Sequence, residues 1–98
     1  MTINKQKNEN GLLISLEGRL DTTTSPAFEQ ELKASLDGVD SLVLDFEKLD
    51  YISSAGLRVL LSAQKTMNKQ GEMKIKNVNE TILEIFEVTG FNDILTIE

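Results

Sequence analysis

Two adjacent hydroxyl groups, on Ser53 and Ser54, are the best candidates for chemistry in this sequence. They precede a run of apolar residues with helical spacing, which places them at a predicted helix start. A serine there commonly caps the helix, which stabilises it by about 1 kcal/mol. The same position suits a phosphate, because free backbone amides and the helix dipole favour an anion. Gly56 fits both interpretations, since it could leave open space for a kinase or permit close helix–sheet packing.

A second polar segment, residues 21–24, has the sequence Asp-Thr-Thr-Thr. Its simplest interpretation is a turn that leads into a helix capped by Ser25. Pro26 would then occupy the first helical position, where no backbone donor is needed. The alternative is a loop that contacts a partner or docks a kinase beside Ser54.

The remaining candidate chemistry is weak. Asp45, Glu47 and Asp50 could help to hold Mg²⁺, but 27% of the residues are charged and we expect these carboxylates to be solvated. The absence of histidine and cysteine excludes Ser-His-Asp and Cys-His catalysis, His- or Cys-bound zinc, and disulfides. No phosphate-binding glycine pattern is present. We therefore predict a protein that is not an enzyme, with no catalytic residues, no metal and no cofactor.

Length and charge restrict the partner classes. Ninety-eight residues, 40% of them hydrophobic, predict a single domain over residues 1–98. A net charge of -6 argues against nucleic acid and favours a basic or mixed-charge protein partner. The first ten residues lack the apolar region of a signal peptide, and no apolar stretch is long enough to span a membrane. We expect a cytoplasmic monomer without membrane or nucleic-acid contacts.

The apolar spacing predicts the order β-β-α-β-α-β-α-β. The strands are an edge strand at residues 2–8, turning at 8–11 into 12–17, and strands at 42–44, 73–77 and 94–97; residues 45–50 are predicted to be a loop. The apolar run at 42–44 indicates burial on both faces. The predicted inward helix residues are Phe28, Leu32, Leu36, Leu57, Leu60, Leu61, Met67, Ile82, Leu83, Phe86 and Val88.

This order predicts an α/β fold: a mostly parallel sheet of about five strands, with an antiparallel N-terminal edge and helices packed on it. Loops that leave the carboxyl ends of parallel strands gather at one edge, where sites usually form. Residues 20–25 and 48–56 are both expected at that edge, which would bring the Asp21 segment close to Ser54.

Three segments resemble the STAS family, specifically the stand-alone bacterial anti-sigma factor antagonists: residues 17–21 (EGRLD), 42–46 (LVLDF) and 51–61 (YISSAGLRVLL). The closing residues 88–91 (VTGF) are also similar, so the resemblance covers nearly the whole chain. It is most specific around Ser54. The resemblance implies a single STAS-type domain.

The resemblance also implies a regulatory cycle. The unphosphorylated protein would bind an anti-sigma factor with GHKL-type serine kinase activity and so free a sigma factor. The kinase would then phosphorylate the antagonist and dissociate, and a PP2C-like phosphatase would restore the active form. ATP would belong to the kinase.

Alignment on Gly56 carries the family phosphosite to Ser54. The family often has Asp-Ser-Ser-Gly or Asp-Ser-Thr-Gly; here Ser53 replaces the aspartate and is a competing acceptor, and Ala55 replaces the second hydroxyl. The expected partner-binding residues are Asp21, Thr22, Thr23, Ser53, Ser54, Ala55, Gly56, Leu57 and Arg58. Two alternatives stay open at this point. One is a STAS subunit of another assembly, such as a lipid-transport complex or a stressosome-like scaffold. The other is an enzyme or nucleotide-binding domain, which the absence of histidine, cysteine and a phosphate-binding loop disfavours.

Overall fold

The order of strands and helices follows the alternation in the sequence. A computed structural model describes residues 1–9 and 11–98. Asn10, in the predicted turn at residues 8–11, lies outside the described residues. The elements are β1 (Thr2–Lys7), β2 (Gly11–Leu20), α1 (Ser25–Ser35), β3 (Ser41–Ile52), α2 (Ser54–Gln70), β4 (Glu72–Lys76), α3 (Glu80–Thr89) and a 3₁₀ turn (Phe91–Asp93).

The described residues form one four-stranded sheet in the order β1-β2-β3-β4. β1 pairs antiparallel with β2, whereas β2–β3 and β3–β4 are parallel. Helices connect the parallel strands, as the length of a parallel crossover requires. The predicted α/β fold with an antiparallel edge is therefore confirmed.

The predicted fifth strand at residues 94–97 is reduced to a single bridge between Ile97 and Ile75. The 3₁₀ turn that follows α3 occupies much of the remaining chain, and the Ile94 side chain is 45% exposed. Only the last residues run beside β4, where the Ile75 amide donates to the Thr96 carbonyl at 2.9 Å. The prediction of about five strands was wrong by this one element.

The predicted loop at residues 45–50 is part of β3, which continues to Ile52. Its register with β2 shifts twice, between the pairs Ser15–Asp45 and Glu17–Lys48 and again before Arg19–Tyr51. At each shift β3 carries one residue more than β2, which is a β-bulge. The bulges break the strict alternation of buried and exposed residues, and this made a charged strand resemble a loop.

One face of the sheet is buried in the core. Leu12, Ile14, Leu42 and Leu44 are buried, whereas Val43 is only half-buried, so the prediction of β3 buried on both faces was wrong. Sequence reasoning correctly placed most helix residues in this core: Phe28, Leu32, Leu36, Leu57, Leu60, Met67, Ile82 and Phe86.

Two predicted core residues of α3 point outward. Leu83 is 38% exposed and Val88 is 84% exposed, whereas Ile82 and Phe86 are fully buried. Ile82 and Phe86 lie four residues apart on one helix face, and a short helix with a single buried face directs the other positions to solvent. Leu61 of α2 is half-buried for the same reason.

Capping residues and glycines mark the ends of the helices. The Asn79 side chain accepts from the Ile82 amide at 2.9 Å and caps α3, and Gly90 ends that helix with a left-handed φ of 79°. Gly71 ends α2, and α1 ends at Ser35, shortly before Gly38. No helix within residues 1–9 and 11–98 is long and apolar enough to cross a membrane.

Replacing Leu60 tests the core directly. Its side chain has no exposed surface, so Leu60→Ala should lower the free energy of unfolding by about 2–5 kcal/mol through lost contacts and a cavity. Val88→Ala is the matched control and should change it by less than about 0.5 kcal/mol. Urea unfolding followed by circular dichroism measures both. Equal losses in the two variants would show that the burial described here is wrong.

Candidate functional site

The parallel strands β2 and β3 end side by side and bring the two polar segments together. Leu20 lies opposite Ile52 in the register, and the Ser53 amide donates to the Leu20 carbonyl at 2.9 Å. The next residues are the turn at 21–24 on one strand and the start of α2 on the other. The predicted proximity of the Asp21 segment to Ser54 follows from this pairing.

Asp21 organises the turn before α1. Its carboxylate accepts from the Thr23 hydroxyl at 2.7 Å, the Thr23 amide at 3.0 Å and the Thr24 amide at 3.2 Å. The Thr23 hydroxyl is the main cause that lowers the pKa of Asp21. Desolvation opposes it, but the backbone amides of Thr24 and Thr23 and the Thr24 hydroxyl also lower this pKa, so the net shift is downward. The turn therefore presents an ionised carboxylate held in one conformation.

Ser25 does not cap α1, contrary to the prediction. Thr24 is the residue before the helix, and Ser25 is already helical and 3% exposed. The Ser25 hydroxyl donates to the Asp21 carbonyl at 2.6 Å, which fastens the turn to the helix. At the helix start, the Ser25 amide donates to the Asp21 carbonyl at 2.8 Å and Pro26 has no amide hydrogen, so the turn itself satisfies part of what a serine cap would supply. An Asp two residues before Thr is the sequence signal for such a turn.

The two serines face different environments. Ser53 is the N-cap residue of α2, but its side chain makes no capping hydrogen bond. Its hydroxyl oxygen is buried and has no hydrogen-bond partner among the described residues. Ser54 is the first residue of α2 and is exposed. Only the Ser54 hydroxyl is open to solvent at the helix start.

The predicted partner-binding residues divide into an exposed layer and a supporting layer. Gly56 and Leu57 are buried beneath the surface and cannot present side chains to a partner. Ser53 belongs with them, because its hydroxyl oxygen is buried. The other six are exposed or half-buried around the Ser54 hydroxyl. We call this exposed layer the Ser54 surface; it consists of Asp21, Thr22, Thr23, Ser54, Ala55 and Arg58.

Gly56 permits the close approach of α2 to the sheet. A β-carbon added there would lie 2.7 Å from Ile52 Cγ1 and 2.9 Å from Leu20 Cγ, both buried side chains. Such contacts would force the helix start away from the strand ends. Close packing therefore explains this glycine, and it does not provide open space beside the hydroxyls.

Sequence reasoning gave no individual role to Arg19. Its guanidinium lies 4.6 Å from the centre of the Tyr51 ring, and its Nε lies 3.8 Å from an Asp21 oxygen. This arrangement extends the charged part of the site along β2. It depends on the bulged pairing of Arg19 with Tyr51, so spacing along the sequence could not reveal it.

The carboxylates considered for Mg²⁺ do not gather into a site. Asp45 accepts from the Asn77 side chain at 2.9 Å and from the Glu47 amide at 3.0 Å. Partial burial raises the pKa of Asp45, but these hydrogen bonds and the nearby lysines lower it more, so the net shift is downward. Within the part of the chain that the structure describes, no three potential metal ligands cluster together.

The family of the chain follows from its sequence. Residues 2–98 match the model of the STAS domain. This chain belongs to the STAS-domain family. BtrV of Bordetella bronchiseptica, a candidate anti-sigma factor antagonist, is 36% identical over 99 residues, which cover 99% of this chain and 85% of BtrV. The anti-sigma-B factor antagonist of Bacillus subtilis is 26% identical over 98 residues, covering 99% and 90%.

Solved structures show the same fold. SpoIIAA, an anti-sigma factor antagonist, matches in its unphosphorylated form with a TM-score of 0.78 at 17% identity, covering 99% of this chain and 87% of that one. The phosphorylated Bacillus SpoIIAA gives 0.77 at 17% identity, covering 99% and 91%. At this identity the solved structures show the fold alone. The sequence relatives that are anti-sigma factor antagonists favour a regulatory binding protein over an enzyme, and over a transport or scaffold subunit.

The Asp21 turn gives a test of the site geometry. Thr23→Val removes the hydroxyl that donates to Asp21 and should raise the pKa of that carboxyl toward its ordinary value. Because folding lowers this pKa, the stability it contributes is present above the unfolded-state pKa of about 3.9 and is lost as the pH falls through the folded value. A carboxyl ¹³C NMR titration measures the shift. Thr22→Val, which removes an exposed neighbouring hydroxyl, should leave it unchanged; equal shifts would contradict the described turn.

Proposed function

We propose that this chain is an anti-sigma factor antagonist whose binding is switched by phosphorylation of Ser54. The unphosphorylated form binds an anti-sigma factor through the Ser54 surface and so frees a sigma factor. The observation that carries the proposal is the exposed Ser54 hydroxyl at the start of α2, next to the Asp21 turn, in a STAS-family chain. Its relatives that are anti-sigma factor antagonists indicate the type of partner.

The choice of Ser54 over Ser53 rests on access. A kinase must bring the hydroxyl oxygen to the γ-phosphorus of ATP, in line with the departing ADP. Ser54 is exposed, whereas the Ser53 hydroxyl oxygen is buried. Ser53 is the single residue between the end of β3 and the start of α2. Phosphorylation of Ser53 would require the start of α2 to open.

The helix start accommodates the product. The phosphoryl group passes from ATP to Ser54 Oγ, the hydroxyl proton is released, and ADP leaves. The new phosphate carries about -1.5 to -2 charges at neutral pH. The dipole and free amides at the N-terminus of a helix stabilise such an anion by roughly 0.3–1 kcal/mol. The domain can therefore accept the modification without unfolding.

Release of the partner needs only local charge. A like charge about 5 Å away costs on the order of 3 kcal/mol per unit charge at an effective dielectric of ~20. A 100-fold loss of affinity corresponds to about 2.7 kcal/mol. One phosphate that faces an acidic or apolar partner surface is therefore sufficient to break the complex.

The proposal also includes the enzymes of the cycle. The anti-sigma factor is a GHKL-type serine kinase that supplies ATP chemistry, and a PP2C-like phosphatase removes the phosphate. The chain acts as a monomer in the cytoplasm, where the transcription machinery and ATP are found. It needs no cofactor of its own, because it is the substrate of both enzymes.

Site mapping tests the proposal. Incubation with the purified cognate kinase and ATP should add one phosphate, measured by intact mass. Ser54→Ala should abolish the addition and Ser53→Ala should retain it, because only the Ser54 hydroxyl is accessible. Circular dichroism of both variants controls for folding. A phosphopeptide that carries the phosphate on Ser53 would overturn the assignment of the site.

A further inference from the structure

Arg58 is an exposed cation one helical turn after Ser54. Residues four apart on a helix lie on the same face, about 5–6 Å apart at their β-carbons. The ion pairs of the described residues join Lys5–Glu31, Arg19–Asp21, Lys33–Glu29 and Lys74–Glu98, and none involves Arg58. Within the described chain, this guanidinium is therefore free to accept a new anionic partner.

The surroundings of Arg58 offer it little competition. It lines a shallow depression of about 220 Å³ together with Thr22, Ser25, Pro26, Ala55 and Glu29 of α1. Glu29 could compete with a phosphate for Arg58, but its carboxylate oxygen lies 3.5 Å from Lys33 Nζ on the same helix. Asp21, the other acidic group at this edge, is held by Thr23, Thr24 and the Arg19 side chain.

We propose that Arg58 captures the phosphate on Ser54 within the same helix, as a latch that forms only in the phosphorylated state. This inference rests on the proposed function. An anion placed four residues before a cation is the favourable orientation for a helical ion pair. Guanidinium and phosphate can also form two parallel charge-assisted hydrogen bonds, which a single carboxylate–ammonium contact lacks.

The latch gives phosphorylation a second effect on binding. In the unphosphorylated chain, the free Arg58 belongs to the Ser54 surface and is available to an acidic group on the partner. After phosphorylation, the same guanidinium is engaged by the phosphate. The modification therefore adds an anion and withdraws a cation at one place, and both changes oppose a partner that has paired with Arg58.

The experiment measures the second pKa of phosphoserine at position 54, by ³¹P NMR titration. Phosphoserine is incorporated during translation, so the sample does not depend on any kinase. The other charged groups that face this edge, Arg19, Asp21, Glu29 and Lys33, are the same in every sample.

Four chains are compared: the parent sequence, Arg58→Gln, Arg58→Lys and Lys65→Gln. Lys65 is the matched control. It is exposed on the same helix but lies about 16 Å along the helix axis from Ser54, and its loss changes the net charge equally.

Arg58→Gln should raise this pKa by about 0.5 unit, roughly threefold in proton affinity, relative to the parent chain. Arg58→Lys should keep this pKa close to that of the parent chain. Adding 0.5 M NaCl should reduce the pKa difference between the Arg58→Gln and parent chains. Lys65→Gln should have little effect. Equal pKa values in the Arg58→Gln and Lys65→Gln chains would overturn the latch. Failure of the kinase to modify Ser54 would instead overturn the proposed function, and the two failures are distinguishable.

Discussion

The parallel strands β2 and β3 end at the same level, with Leu20 opposite Ile52 and the Ser53 amide bonded to the Leu20 carbonyl. A polar turn follows one strand and a helix follows the other, so this pairing sets the distance between Asp21 and Ser54. Gly56 then lets α2 pack directly on the two strand ends. Any change that lengthened one strand relative to the other would separate the two halves of the site.

The same arrangement makes the Ser54 surface rigid before any partner binds. The Asp21 carboxylate accepts four hydrogen bonds from Thr23 and Thr24, and the Ser25 hydroxyl ties that turn to α1. Beneath Ser54, Leu57 and Leu60 anchor the helix in the core. A preorganised surface loses little conformational entropy on binding, which suits the binding switch proposed above. It also favours a switch that acts through local charge.

The order of strands and helices through α3 could be predicted from the sequence, and so could the antiparallel edge strand and the two serines at a helix start. These features depend on the local spacing of apolar residues and on residues that begin and end helices. Sequence reasoning failed where tertiary context decides. The bulges turn the charged stretch after Asp45 into strand, and the pairing that results brings Arg19 onto Tyr51. Likewise, Val88 is apolar but is 84% exposed. The difference between a buried Ser53 hydroxyl and an exposed Ser54 also requires coordinates.

The central claim is that phosphorylation acts locally on a domain that keeps its fold. Backbone amide NMR spectra of the unphosphorylated and Ser54-phosphorylated chains, recorded with and without the anti-sigma partner, test it most directly. The account predicts shift changes confined to the Asp21 turn and residues 53–58, together with loss of partner binding. Changes that spread through the strand at residues 42–46 and the helix at 82–88 would contradict it, as would a phosphorylated chain that still binds with unchanged affinity.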